Sequence, residues 1–185
     1  MMKREDASLR LLLPQQDIEA RIKDVAAAIN AAYGNERLVV ICVLKGAFMF
    51  FADLIKHLTM GVDVDFVRLA SYGNGLASKK TVNFTKDIEI SLAGRHVLIV
   101  EDIVDSGHTM QFLLRKFQGR GAKSLRVAVL LTKTERREVA VQLDFVGFPA
   151  QTGFIVGYGL DYAEQYRELP AIYELAFDGG QAETA

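Results

Sequence analysis

Three short apolar runs, Leu38–Leu44, Val97–Val100 and Ser124–Leu131, are rich in β-branched residues and nearly free of charge. Continuous runs of this length predict strands buried on both faces, as in a parallel sheet. Ile18, Ile22, Val25 and Ile29 share one face at helical spacing, which predicts a helix over 17–33 with Asp17 as N-cap and Gly34 as its stop. Ala47–Leu58 and Met110–Gly119 predict two further helices, each following an apolar run. Val62–Ala70 sets Val62, Val64 and Phe66 against Asp63 and Asp65 and predicts another strand, and Thr81–Thr85 with Asp87–Ile90 predicts a short hairpin flap. Later β segments are expected at Asp144–Phe148, Phe154–Val156 and Ile172–Leu175, with a frayed tail over Gly179–Ala185. Strands alternating with helices imply an α/β fold: a central, mostly parallel twisted sheet flanked by helices. Residues 1–145 are expected to form this core, and 146–185 a small C-terminal hood, toward which the N-terminal helix can pack.

Chemistry-bearing residues collect where strands end. Val97–Val100 runs into Glu101 and Asp102, then into Asp105-Ser106-Gly107-His108-Thr109 and a helix. A strand, a small-residue turn and a helix N-terminus together make an anion site, because free backbone N–H groups and the helix dipole point at the turn. Ser106 and Thr109 add hydroxyl donors, and Gly107 allows close backbone approach. The adjacent acids suit hydroxyls or a divalent cation. Leu38–Leu44 ends likewise in Lys45-Gly46 before a helix, a second candidate anion site on the same sheet edge, although Lys45 taken alone also reads as a solvated turn lysine. Ser71–Lys80 is glycine-rich and polar, and is expected to be a flexible lid. Its glycines fall short of a dinucleotide fingerprint and lack the strand–turn–helix setting.

Composition narrows the class. The 185 residues carry 22 basic and 23 acidic side chains, a net charge of −1, which gives no global field for nucleic acid or an anionic membrane. Cys42, the single cysteine, lies in an apolar strand and reads as a packed hydrophobe. The scattered histidines offer no zinc spacing, Leu11-Leu12-Leu13 is too short for a signal segment, and no window approaches a membrane span. A cytoplasmic protein without nucleic-acid or membrane partners is the expectation.

The stretch Val97–Thr109 resembles the phosphoribosyl pyrophosphate (PRPP) motif of type I phosphoribosyltransferases at every position: four apolar residues, two acids, two apolar residues, then Asp-Ser/Thr-Gly-x-Thr. Beyond the motif, the segments 43–46, 71–72, 130–133, 144–148 and 156–162, followed by Arg167, are similar to the 6-oxopurine branch of that family. His108 fills the variable position of the motif, and Gly159 stands where many relatives have alanine; both departures are expected to lie outside the chemistry.

The resemblance implies transfer of the phosphoribosyl group from PRPP to hypoxanthine or guanine with Mg²⁺, in a homodimer or homotetramer. It implies Asp105 as general base, and Glu101, Asp102, Asp105, Ser106, Gly107, His108 and Thr109 around the ribose and 5′-phosphate. Lys45, Gly46 and Arg167 would hold pyrophosphate, and Ser71 and Tyr72 would close the lid. Lys133 would donate to the purine 6-oxo group, Phe154 would stack, the Ile155 backbone would read the base edge, and Asp161 would complete the purine and metal side with Glu101 and Asp102. On their own, Phe154 reads as core, Arg167 as a rim ion pair, and Glu135–Glu138 as a solvated face. Strand alternation leaves open which of Glu101 and Asp102 acts directly. The family also suggests a cis Leu44–Lys45 peptide. The rival reading is a non-enzymatic PRPP-sensing regulator of the same fold, which would need a nucleic-acid surface that the sequence does not display.

Overall fold

The computed structural model describes residues 7–72, 81–150 and 153–177. The element order is β1 (Ala7–Leu13), α1 (Gln15–Tyr33), β2 (Leu38–Leu44), α2 (Phe48–Ile55), β3 (Val62–Tyr72), β4 (Thr81–Lys86), β5 (His96–Val104), α3 (His108–Gln118), β6 (Ser124–Thr132), β7 (Phe145–Pro149), β8 (Phe154–Val156) and β9 (Ile172–Phe177). Six strands form the main sheet in the order β4-β3-β2-β5-β6-β7. All its neighbours are parallel except β3 and β4. This is the expected α/β architecture.

The apolar runs are buried on both faces because helices cover both. Alternation sends Leu38, Val40 and Cys42 of β2, with Leu98 and Val100 of β5, toward α1 and α2. Val39, Ile41 and Val43, with Val97 and Ile99, face α3 instead. From β2 the chain steps to β3 on one side, while β5 and β6 extend the sheet on the other. The carboxyl ends of β2 and β5 therefore flank the point where strand order reverses, where open α/β sheets bind ligands.

Some local expectations shift. Helix α1 starts at Gln15 because the Pro14 carbonyl accepts from the Asp17 and Ile18 N–H groups; Asp17 lies inside the first turn. Asp87–Ile90 is not a strand: the N–H groups of Glu89 and Ile90 donate to the Asp65 side chain at 2.6 and 2.9 Å. Hence Asp65 is buried while Val64 is exposed, against the simple alternation of β3. The hairpin partner of β4 is β3 itself. Residues 73–80, the expected lid, lie outside the described residues, as do the side chains of Ser71 and Tyr72 at the end of β3.

A second sheet, in the order β1-β9-β8, is antiparallel. Its strand β1, from the start of the chain, has no counterpart in the sequence reading, because only part of its leucine-rich pattern is buried: Leu9 and Leu11 remain exposed. Arg10 on β1 bonds Glu174 on β9. Tyr158 ties this region to α2 through a hydrogen bond to Asp53. Among the described residues, no helix is long and apolar enough to cross a membrane.

Candidate active site

A cleft of about 880 Å³ opens at the carboxyl ends of β2, β5 and β6. Strand β2 delivers Lys45 and Gly46, and the Leu44–Lys45 peptide is cis, as the resemblance suggested. A Cβ on Gly46 would fall 1.6 Å from Oδ2 of Asp102, so any side chain there would have to displace that carboxylate. Gly159 is equally confined: at φ +95° its own Cβ would lie 2.1 Å from the Gly46 carbonyl oxygen. The turn that carries Gly159 packs directly on the Lys45–Gly46 loop.

Strand β5 delivers the two acids. Glu101 is buried and Asp102 is partly buried. Burial pushes the Glu101 carboxyl well above the usual range, and the adjacent Asp102 adds to the shift. Burial likewise raises Asp102, against hydrogen bonds that favour its charged form. Two carboxyls held this close in a dry strand end favour sharing a proton until a cation or a donor neutralises them.

The motif turn then opens helix α3. Gly107 is left-handed at φ +91°, and no side chain caps the helix. Its first N–H groups therefore stay available to an anion, with the dipole behind them. A Cβ at Gly107 would lie 2.7 Å from Val141. The turn is braced by Arg137, whose guanidinium donates to the carbonyls of Asp105 and Val104 and to the Thr132 hydroxyl at 3.0, 3.2 and 2.7 Å. Arg136 lines the cleft and stands 3.7 Å from Asp105 Oδ2, and His108 meets Glu138 at 2.9 Å. Glu135–Glu138 is therefore not merely a solvated face. Arginines that hold backbone carbonyls leave no periodic signal, so sequence reading missed Arg137.

Parallel register carries the next step. Val104 pairs with Thr132, so Asp105 and Lys133 leave the sheet side by side. Lys133 is buried, and its ammonium donates to the Gly153 carbonyl at 2.8 Å. Burial lowers its pKa. Oδ1 of Asp105 is buried without a hydrogen-bond partner among the described residues. Phe154 lies 38% exposed on the cleft wall, unlike a core phenylalanine. Arg167 donates to the Gly159 carbonyl at 2.8 Å and pairs with Asp161 at 2.7 Å.

The cleft thus gathers Lys45, Gly46, Glu101, Asp102, Asp105, Thr109, Lys133, Phe154, Ile155, Asp161 and Arg167. Ser106, Gly107 and His108 shape the turn without lining the cleft wall. Among the described residues no three His, Cys, Asp or Glu side chains form a metal cage. Mg²⁺ is commonly held by one or two carboxylates together with substrate phosphates, a donor set that Glu101 and Asp102 would fit.

The family model for the phosphoribosyl transferase domain matches residues 10–163, and the chain belongs to that family. It is 43% identical over 163 residues to the hypoxanthine-guanine phosphoribosyltransferase of Bacillus subtilis, covering 88% of this chain and 91% of that protein. It is 40% identical over 167 residues to the hypoxanthine phosphoribosyltransferase of Escherichia coli, covering 89% and 94%. A crystal structure of a hypoxanthine-guanine phosphoribosyltransferase from Bacillus anthracis superposes with a TM-score of 0.86 at 39% identity, covering 92% of this chain and 99% of that one.

Two outcomes follow from this geometry. Gly46→Ala drives a methyl into Asp102 and is expected to lower kcat/KM for PRPP by about a hundredfold, the scale of a 1 Å misplacement in a reacting site; steady-state kinetics on the folded variant check it. For Glu101 the folded pKa lies above the ordinary 4.5, so the folded state holds the extra proton. Wild-type stability therefore falls as pH rises from the ordinary value through the raised one. Glu101→Gln removes that loss. Its melting temperature, relative to wild type, is expected to climb from a pH near the ordinary value to one well above it, by about 2–4 °C for each kcal/mol relieved. Parallel thermal melts at the two pH values measure this, and an unchanged difference would contradict it.

Proposed function

We propose that the protein transfers the 5-phosphoribosyl group from PRPP to hypoxanthine or guanine, releasing pyrophosphate and the purine mononucleotide, as an enzyme of purine salvage. The observation that carries this reading is the pairing of Asp105, with a buried unpartnered oxygen, and Lys133, a buried ammonium, at adjoining strand ends. One is an acceptor and the other a donor. A 6-oxopurine presents a ring N–H and an oxo oxygen that match them, whereas the 6-amino group of adenine would meet a cation with a donor.

In the reaction the bond from ribose C1 to pyrophosphate breaks and a bond to a purine nitrogen forms. The transition state carries oxocarbenium-like charge on the ribose, as in glycosidic cleavage. Asp105 takes the proton from the purine near N7. The free N–H groups of α3 hold the 5′-phosphate, with the Ser106 and Thr109 hydroxyls beside them. Glu101 and Asp102 hold the ribose hydroxyls. Phe154 stacks on the base and the Ile155 backbone reads its edge. Lys45, Gly46 and Arg167 hold the departing pyrophosphate, and closure of Ser71 and Tyr72 excludes water that would hydrolyse PRPP. Glu101 and Asp102, and on the pyrophosphate side Asp161, would hold Mg²⁺, which would supply positive charge for the leaving group. Work in the cytoplasm is part of this reading.

Formation of the mononucleotide from hypoxanthine, PRPP and Mg²⁺, followed by ultraviolet absorbance, tests the activity; hypoxanthine, guanine and xanthine compared side by side define the acceptor. Asp105→Asn is expected to lower kcat by about 10²–10⁴-fold while PRPP still binds. A loss below about tenfold would remove the general-base role. Lys133→Gln gives up a charged hydrogen bond to the oxo group and is expected to reduce the preference for hypoxanthine over adenine by about ten- to a hundredfold in kcat/KM. Unchanged selectivity would reassign that lysine.

A further inference from the structure

Both cations assigned to pyrophosphate meet one carboxylate that the sequence reading did not single out, and Arg167 shares itself between that group and Asp161, at 2.7 Å. Lys45 Nζ reaches both oxygens of Glu164 at 2.9 Å, and Arg167 Nη2 reaches the same group at 3.3 Å. Glu164 sits in a tight turn closed by reciprocal backbone bonds between Tyr162 and Gln165. Its φ is +64°, and Ala163 at +51° and Tyr166 at +76° share that unusual region. Its own N–H donates to Asp161 Oδ2 at 2.8 Å, so the turn aims the carboxylate inward at the two cations. The side chain is still 64% exposed, so it can swing into water without breaking the core.

We propose that Glu164 is an internal counter-anion, which holds Lys45 and Arg167 in place of pyrophosphate in the free enzyme and competes with pyrophosphate for them. The inference rests on the reading that these two cations bind pyrophosphate. A carboxylate fork and a phosphate edge present similar pairs of acceptors, so one can substitute for the other. The lysine and arginine hold Glu164 below the usual carboxylate range, so it is charged at neutral pH. An anion that must be pushed aside weakens the binding of the incoming anion and helps to expel it afterwards. Because the contact is exposed, its effect is modest.

Titration calorimetry of the full chain with pyrophosphate and Mg²⁺ tests the idea, alongside kinetics. Glu164→Gln keeps the shape but removes the charge. It is expected to tighten the Kd for pyrophosphate and lower KM for PRPP, each by about two- to fivefold. Glu164→Asp, which keeps the charge, is expected to stay near wild type. If Glu164 served only to hold its turn, the glutamine variant would bind pyrophosphate equally well or more weakly, and either result overturns the proposal. Lys45→Ala separates the two levels of argument. Unchanged pyrophosphate affinity in that variant defeats the assignment of the cations themselves. A weakened affinity there, with no tightening in Glu164→Gln, defeats the counter-anion alone.

Discussion

Two carboxyl groups, Glu101 and Asp102, are kept largely out of water at the end of a central strand, and most of the site's geometry answers to that constraint. A buried pair of acids is costly unless something neutralises it. Backbone hydrogen bonds and Arg167 favour the charged form of Asp102 without outweighing its burial against Gly46, and Glu101 has β5 and β6 around it. The free protein therefore holds this acid pair in an unfavourable charge state that a donor or a cation bound there would relieve.

The same close packing explains the glycines around it. Gly46 leaves space for the Asp102 carboxylate, and Gly159 leaves space for the Gly46 carbonyl. The Asp102 carboxylate and the Gly46 carbonyl thus fill the places that a side chain on Gly46 or on Gly159 would need. Arg137 does comparable work for the motif turn, holding the carbonyls on which the orientation of Asp105 depends. Tyr158 anchors its turn to α2 through Asp53, while neighbouring Gly159 packs on the Gly46 carbonyl beside Lys45.

Much of the fold was legible because the periodicities were strong. The runs at Leu38–Leu44 and Ser124–Leu131 are uniformly apolar, and helices on both faces of the sheet require that. The PRPP motif was equally readable, since its small and acidic residues are needed in one unbroken order. Elsewhere local pattern misled. Asp65 looked solvent-facing but is buried, because it receives the N–H groups of Glu89 and Ile90. Those bonds also keep Asp87–Ile90 out of the sheet. Strand β1 escaped notice because its partner, β9, lies at the opposite end of the chain.

By itself, then, the sequence determined the α/β class, the strand ends that carry acids and cations, and the family to which the motif belongs. These depend on contiguous residues, whose spacing translates directly into one strand, one turn or one helix. Tertiary structure alone decided which distant residues share a wall. Parallel register put Lys133 beside Asp105, close packing set Gly159 on Gly46, and a left-handed turn aimed Glu164 at Lys45 and Arg167. Such pairings are set by strand order and backbone approach, quantities to which no single stretch of chain gives local expression.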